Sequence, residues 1–422
     1  MLYMIIDAIE SYIEHYNQSI NQKNKQTYGE VFTPFTLVRT MVESIPIHIW
    51  RNPRLQWLDP ANGTGHFMMI VFSRLWRELR EWEPDDLKRE THILTKMLFM
   101  VEINETNVDF SRQLFGEKAN IYHQSFFTYD QTFDIVVGNP PFNISREKTC
   151  GKTQWQLFVK RILYHTLRSN GLFLFMTPPS WRKPCPDKSI NHHLYSLLVK
   201  QNQMLYLSIQ NKKQGMRDLG CNTRYDWYLV EKKNCYKHTI LYDEYNVRCE
   251  LYLPFYTWLP NSKMKVVMNL LAKRGETRLP VLYDRVAYKA DQKDLPLDKQ
   301  WVSEYENDKY PFPLIHSTPK KGIQYRFSSV CDRGHFGIPK VIFGEGGAHH
   351  CVLDIKGEYG MTHGAMAIVV NDKEEGKLLQ DIILSDRFKK LMDACCFSSY
   401  RMDWNVLSLL HKDKFMRLLT KK

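Results

Sequence analysis

The feature that most restricts the fold is an alternation running through the first 235 residues, in which short apolar stretches take turns with segments of helical periodicity. "LQWLDP", "KMLFMVEIN", "ANIYHQSFF", "FDIVVGN" and "LFLFMTPPSW" are predominantly apolar without a two-residue alternation, the mark of strands covered on both faces. Between them, "FMMIVFSRLWRELREW", "ETNVDFSRQLFG" and "QLFVKRILYHTLRSNG" repeat apolar positions at helical spacing, the last two closing at Gly116 and Gly171. This alternation predicts an α/β fold with a Rossmann-like, mostly parallel sheet and helices on both faces. "TPFTLVRTMVESI" reads as a helix with Thr33 as cap and Pro34 in its first turn. "EPDDLKRE" reads as a charged connection, and "MLYLSIQN" and "YDWYLVEKK" as two further strands.

The pattern decays after about residue 235. Beyond 250 the chain turns to short aromatic-rich segments broken by Pro, Gly and charge, then returns to helical periodicity in "GKLLQDIILSDRFKKLMDACCFSSY". Three parts are expected: an N-terminal helix over 1–27, an α/β domain over 28–245, and a mixed α+β domain over 246–422. A net charge of +12 and a pI near 9.1 point toward a polyanionic partner, and 13% aromatic residues suit base stacking as well as large cores. Nine cysteines without a Cys-x-x-Cys pair fit a reduced, intracellular (cytoplasmic) chain better than a disulfide framework. His349, His350 and Cys351 form the one tight cluster of soft ligands, but no partner pair at zinc-site spacing accompanies them, so no metal is expected. The first 20 residues carry acids among their apolar positions, unlike a signal peptide, and no apolar run approaches the ~20 residues of a membrane span.

In an open parallel sheet, ligands bind beyond the carboxyl ends of the strands. Three pieces fall at such ends. "DPANGTGHF" places an acid, Asp59, before two glycines, Gly63 and Gly65, that allow a tight bend and close approach to a ligand. Asp59 suits a cationic ammonium group better than a pyrophosphate. Glu102 closes the next strand, where a carboxylate can accept from ribose hydroxyls, although a merely solvated acid would look the same. It follows the glycines at roughly twice the ~20-residue gap of the dinucleotide fingerprint, which disfavours hydride transfer. In "HQSFFTYD", Phe126 or Phe127 could lie against an adenine ring or simply fill the core.

A fourth strand end raises the sharpest question. "DIVVGNPPF" stops an apolar strand at Asn139, Pro140, Pro141 and Phe142. Two consecutive prolines fix two φ angles and remove two donors, and Pro140 biases Asn139 toward an extended conformation. The product is a stiff turn that holds one amide and one aromatic ring beside the pocket.

With these pieces in order, the chain resembles the S-adenosylmethionine-dependent DNA methyltransferases that modify the exocyclic N6 of adenine. The matching residues are "GEVFTP" (29–34), "DPANGTGHF" (59–67), "VEIN" (101–104) and "DIVVGNPPF" (134–142), with "LFLFMTPPSW" (172–181) resembling a later strand. Their order resembles the gamma arrangement, and the likeness spans about the first 235 residues. It implies a methyltransferase fold, S-adenosyl-L-methionine as cofactor, and a target-recognition domain over 246–422 that binds double-stranded DNA. A cognate restriction nuclease is a partner that the resemblance allows. Thr33, Pro34, Asp59, Ala61, Gly63, Gly65, Phe67, Glu102, Ser125 and Phe126 are implied to line the cofactor pocket. Ser125 stands where the family commonly carries an Asp, and Asn62 where a small residue is usual. Asn139, Pro140, Pro141 and Phe142 are implied to be catalytic: the Asn139 side-chain oxygen and the Pro140 carbonyl accept the N6 protons, and Phe142 stacks on a flipped base. Tyr225 and Trp227 are candidates for the second aromatic.

"NSKMKVVMNLLAKRGETR", "STPKKGIQYRF" and "KDKFMRLLTKK" supply the basic and polar side chains that a DNA-contacting region needs, though such runs also serve as plain solvated faces. Asp354 and Lys356 in "LDIKGEY" have nuclease-like spacing without a matching acid before them. Two other functions stay open: a related transferase acting on RNA or on a protein amide, and a nucleic-acid-binding scaffold without turnover.

Overall fold

A computed structural model describes residues 10–13, 16, 33–142, 153–185, 189–234, 237–283, 300–397 and 402–418. The expected N-terminal helix over 1–27 and residues 29–32 of "GEVFTP" lie largely or wholly outside them. The chain forms two compact units, residues 1–258 and 259–422.

The first unit is built on one nine-stranded sheet. Its strands are β1 (Trp57–Asp59), β2 (Leu98–Glu102), β3 (Asn120–His123), β4 (Phe133–Gly138), β5 (Leu167–Thr177), β6 (Gln203–Gln210), β7 (Tyr225–Glu231), β8 (Thr239–Tyr242) and β9 (Arg248–Leu251). They lie in the order β3-β2-β1-β4-β5-β7-β6-β8-β9. β1 to β5 run parallel, and β7 is inserted antiparallel between β5 and β6. Every residue of β1 and β2 is buried, as their unbroken apolar runs require. β8 and β9 lie on either side of the expected boundary near 245 and continue the sheet to Leu251.

Helix α1 (Phe35–Val42) buries Phe35, Val38, Met41 and Val42, and α2 (His66–Glu78) buries every residue from His66 to Phe72 and Leu75. Helix α3 (Glu105–Phe115) is capped by the Asn104 side chain and stops at Gly116 (φ 86°), as its sequence pattern predicts. Three expectations are corrected. Pro34, not Thr33, is the cap residue of α1, and no side chain caps that helix. "EPDDLKRE" is not a bare connection: Asp85 caps a helix over Asp86–His92, and the Arg89 guanidinium is buried with its centre 4.2 Å from the Trp76 ring centroid. The helix Trp155–Arg161, α4, passes through a wide turn at Ile162–Thr166 and ends there, so Gly171 belongs to β5. Gly171 is needed in the strand because a Cβ there would lie 2.7 Å from the Asp134 carbonyl oxygen.

The second unit is mixed α+β. One sheet orders β10 (Val281–Leu282), β17 (Ala365–Val369), β14 (Lys340–Gly344) and β15 (Cys351–Asp354). The other orders β11 (Val302–Ser303), β13 (Gln324–Ser328), β12 (Phe312–Ser317) and β16 (Gly360–Met361). Helices Lys373–Leu384 and Asp386–Ala394 follow, separated by Ser385, which caps the second. Asp354 accepts from the Lys340 ammonium at 2.8 Å with both side chains buried, whereas Lys356 is exposed and pairs with Glu358. The nuclease-like spacing of Asp354 and Lys356 therefore does not form a shared site.

Candidate active site at the strand ends

Four adjacent parallel strands, β3-β2-β1-β4, finish side by side, and register fixes what stands at their ends. Asp59 is level with Met100, two residues before Glu102, and Leu58 is level with Val136, so Gly138 and Asn139 lie just beyond Asp59. Glu102 pairs with His123, two residues before Ser125. Residues distant in sequence thus converge at one edge of the sheet.

The glycine loop joins β1 to α2. Gly63 (φ 54°) and Gly65 (φ 89°) adopt left-handed conformations. A Cβ on Gly65 would stand 2.8 Å from the Phe115 ring, so glycine there also lets α3 close on the loop. The loop is tied to β2 from both ends of one carboxylate. Gly63 N donates to Glu102 Oε2 (2.7 Å), while Ile103 N (2.9 Å) and Asn104 N (2.8 Å) donate to Oε1. Asn62 N donates to the Val101 carbonyl, and its side chain donates to Ser111 Oγ at 2.9 Å. Asn62 is therefore a structural strut to α3. Its partner, 49 residues away, left no signal in the sequence.

Asp59 is almost fully buried, at 1% exposure, and its Oδ1 accepts from Ala61 N at 3.0 Å. Burial pushes its carboxyl up to about 8. The Ala61 hydrogen bond opposes this rise, and the nearby Glu102 charge adds to it. His66, at the start of α2, is held neutral by burial, with its pKa lowered to about 3. Its ring stacks on Phe35 at 4.5 Å, and Nδ1 lies 3.2 Å from the Thr64 hydroxyl. Phe67 is buried in α2.

At the end of β4, Gly138 has φ 154°, and a Cβ on it would lie 2.9 Å from Asp59 Oδ1. Asn139 is half-buried, and its Nδ2 donates to Thr33 Oγ1 at 3.1 Å. Pro140 is buried, Pro141 is half-buried, and Phe142 is a half-buried ring packed on the core of this unit. Pro34 follows Thr33 and begins α1. Thr33, Pro34, Asp59, Ala61, Gly63, Gly65, Glu102 and Asn139 are thus joined by hydrogen bonds, register and chain adjacency.

The adenine-side candidates are engaged differently. Ser125 Oγ accepts from Phe127 N at 3.3 Å and caps a short 3-10 turn. Phe126 is 3% exposed, its ring stacks on Phe158 of α4 at 5.2 Å, and the Arg161 guanidinium lies over it. Tyr225 and Trp227 are both core residues of β7. The Tyr225 hydroxyl donates to Asp218 at 2.5 Å, and Trp227 stacks on Tyr206 at 4.6 Å. Neither offers an open ring. Aromatic identity near the right place in the chain was the only signal, and it does not distinguish core from cleft.

The model of a family described as N-6 DNA methylase matches residues 5–173. An uncharacterized adenine-specific methylase of Mycoplasma pneumoniae is 35% identical over 79 residues, which span 18% of this chain and 19% of that protein. Among solved structures, the type IIL restriction-modification enzyme MmeI, in complex with DNA, aligns with a TM-score of 0.56 at 12% identity, covering 93% of this chain and 69% of that one. A nuclease-deletion mutant of the type ISP enzyme LlaGI, with a DNA substrate mimic, aligns with a TM-score of 0.54 at 12% identity, covering 86% and 51%. This chain therefore spans about half the length of LlaGI and about a fifth of the Mycoplasma relative. At such identities the two structures establish a common fold. With the family match lying over the strand ends just described, residues 5–173 of this chain, about two fifths of its length, match the model of the N-6 DNA methylase family.

Proposed function

We propose that the chain is a site-specific DNA methyltransferase that transfers a methyl group from S-adenosylmethionine to N6 of an adenine flipped out of duplex DNA. It would act inside the cell, alone or as the modification half of a restriction-modification pair. The observation that carries this reading is the juxtaposition of a proline-stiffened Asn139 with the acids Asp59 and Glu102 at adjacent strand ends.

The residues fit the cofactor. Asp59 is a buried acid whose carboxyl is pushed up to about 8 by burial and the nearby Glu102 charge, and an ammonium group is the partner that would restore its ionised form. Glu102 faces the glycine loop with acceptor oxygens, which suits hydroxyl donors. When bound, S-adenosylmethionine supplies an electrophilic methyl carbon on a sulfonium. An adenine amine is a weak nucleophile because its lone pair is delocalised into the ring. Asn139 Oδ1 and the Pro140 carbonyl would each accept a hydrogen bond from one N6–H, returning electron density to nitrogen and stabilising the positive charge that develops there; one N6 proton is then released to solvent as the methyl–sulfur bond breaks and the sulfur leaves as a neutral thioether. Pro140 and Pro141 hold the two acceptors in place beforehand, so little reorganisation accompanies the reaction. Phe142 would give the extruded base a stacking surface, and the basic, aromatic-rich second unit would bind the duplex. The motif order is read as gamma-type.

The test is to incubate the protein with labelled S-adenosylmethionine and genomic DNA and map modified adenines. Asn139→Ala should lower turnover by roughly 10²–10³ while leaving cofactor affinity nearly intact. Transfer to RNA or protein but not to duplex DNA would overturn the substrate assignment. Cofactor binding without turnover would favour a scaffold.

A further inference from the structure

The edge of the sheet that carries Asn139 continues past β4. Gly138 is level with Phe175 of β5, Thr177 at the end of β5 pairs with Asp226 of β7, and Tyr225 of β7 pairs with Gln210 at the end of β6. Because β7 runs antiparallel to both neighbours, the connection from β6 to β7, residues 211–224, leaves the sheet at that same edge. With about 4.8 Å between adjacent strands, β6 lies roughly 14 Å from β4.

The connection holds helix α5 (Lys212–Leu219), which is fixed firmly to the unit. The Asn211 side chain accepts from Lys213 N at 2.9 Å and Gln214 N at 3.1 Å, and its Nδ2 donates to the Glu244 carbonyl at 2.8 Å. A Cβ on Gly215 would stand 1.9 Å from the Thr223 carbonyl oxygen, so the helix is pressed against the chain that leads into β7. Asp218 is buried and accepts from the Tyr225 hydroxyl of β7.

The charges on α5 oppose its own stability. Lys212 and Lys213 fill its first two positions and no acid accompanies them, although the positive end of a helix dipole favours acids there. The amides of that end are already taken by Asn211, so the feature lies in the side chains. Lys213 is exposed, and neither lysine has an ion-pair partner among the described residues. Arg217 stands one turn beyond Lys213, on the same face, with 72% of its side chain exposed and its guanidinium steadied by Asp218 at 2.6 Å. A rigid mount that carries cations against local preference is suited to an anion from outside the chain.

We infer that α5 grips the phosphate backbone of the substrate duplex beside the flipped adenine, through Lys212, Lys213 and Arg217. This rests on the DNA-methyltransferase reading and deepens it, since it gives the first unit a duplex contact of its own. A strand that delivers one base to Asn139 brings its neighbouring phosphates along the same edge, and roughly 14 Å is about four nucleotide steps of 3.4 Å. Contacts of this kind set the position of the duplex and carry no sequence information.

The test compares wild type with the double variant Lys212→Gln/Lys213→Gln, which keeps side-chain length and helix propensity, and with Lys212→Arg/Lys213→Arg, which keeps the charge. Binding to duplex DNA is measured across a salt series, beside the Kd for S-adenosylmethionine and the melting temperature. In the glutamine variant, DNA affinity should fall roughly tenfold at low salt, and the slope of log K against log salt should flatten by about 1.8, or about 0.9 for each phosphate released. Duplexes of unrelated sequence should weaken alike, and the arginine variant should retain the wild-type slope. Cofactor Kd should stay within about twofold, and the melting temperature should hold or rise, because the helix dipole is relieved. An unchanged salt slope overturns the inference, as does a loss of affinity that follows a lower melting temperature or is confined to one DNA sequence. Wild-type protein that binds duplex DNA but methylates no adenine overturns the functional reading, while the salt slopes still decide whether α5 holds the backbone.

Discussion

Asp59→Asn should stabilise the first unit at neutral and alkaline pH while weakening the proposed cofactor site. The wild-type carboxyl is almost fully buried, and its pKa stands at about 8 instead of 3.8. Between these two values the unfolded chain carries an ionised Asp59 and the folded chain a protonated one. The folded state therefore binds the extra proton, and stability is lost as pH rises through the window. From 3.8 to pH 7 is about three pH units, and at about 1.36 kcal/mol each the acid costs the fold about 4 kcal/mol at pH 7. Asparagine is neutral at every pH, has nearly the same shape, and keeps an oxygen for Ala61 N. In a unit of this size about 4 kcal/mol corresponds to a melting shift of roughly 10 °C. Thermal melts of both proteins at pH 5, 7 and 8.5, followed by tryptophan fluorescence, should show Asp59→Asn melting higher by a margin that shrinks at pH 5. Wild-type affinity for S-adenosylmethionine should rise up to tenfold per pH unit between about 6 and 8, because the ammonium needs the ionised acid. That dependence should vanish in the variant. A variant that melts below wild type at pH 8.5, or one that keeps the wild-type pH dependence, would refute the reasoning.

Two further expectations concern packing around the site. Gly138→Ala would set a Cβ 2.9 Å from Asp59 Oδ1 and 3.2 Å from the Phe175 ring at a φ of 154°, so a loss of about 3 kcal/mol is expected in urea melts of the first unit. Arg182 and Asp226 form a two-pronged ion pair (2.7 and 2.9 Å) with neither side chain exposed. Arg182→Ala strands a buried acid and should cost about 3–5 kcal/mol, whereas the double replacement Arg182→Leu with Asp226→Leu should cost less. A double variant that is no better than the single would reject that account.

Much of the candidate site was legible because parallel sheets put side chains together at strand ends. Asp59, Glu102 and Asn139 each follow an unbroken apolar run, and a run of that kind can be read without knowing its neighbours. The two glycines and the paired prolines were legible for a similar reason, since their backbone constraints are intrinsic to the residue. Partners were not legible. Asn62 looked like a harmless variant until Ser111 of α3 was found against it, and Thr33 looked like a helix cap until its hydroxyl was found on Asn139. Gly171 looked like a helix stop because glycine marks both helix ends and strands crowded by neighbouring backbone. Tyr225 and Trp227 carried the right chemistry but lie in β7, inside the sheet.

By itself, then, the sequence determined the period of each segment, the ends of the parallel strands and the stiffness of the turn after β4, because these follow from local sterics and from which faces are apolar. Tertiary structure alone decided that β1 lies between β2 and β4, and from that order came the rest. Asp59 lost its water and took up a proton, Glu102 closed on the glycine loop, and an amide met a hydroxyl 106 residues away. Desolvation and hydrogen-bond geometry depend on what stands alongside in space, which no stretch of chain encodes alone.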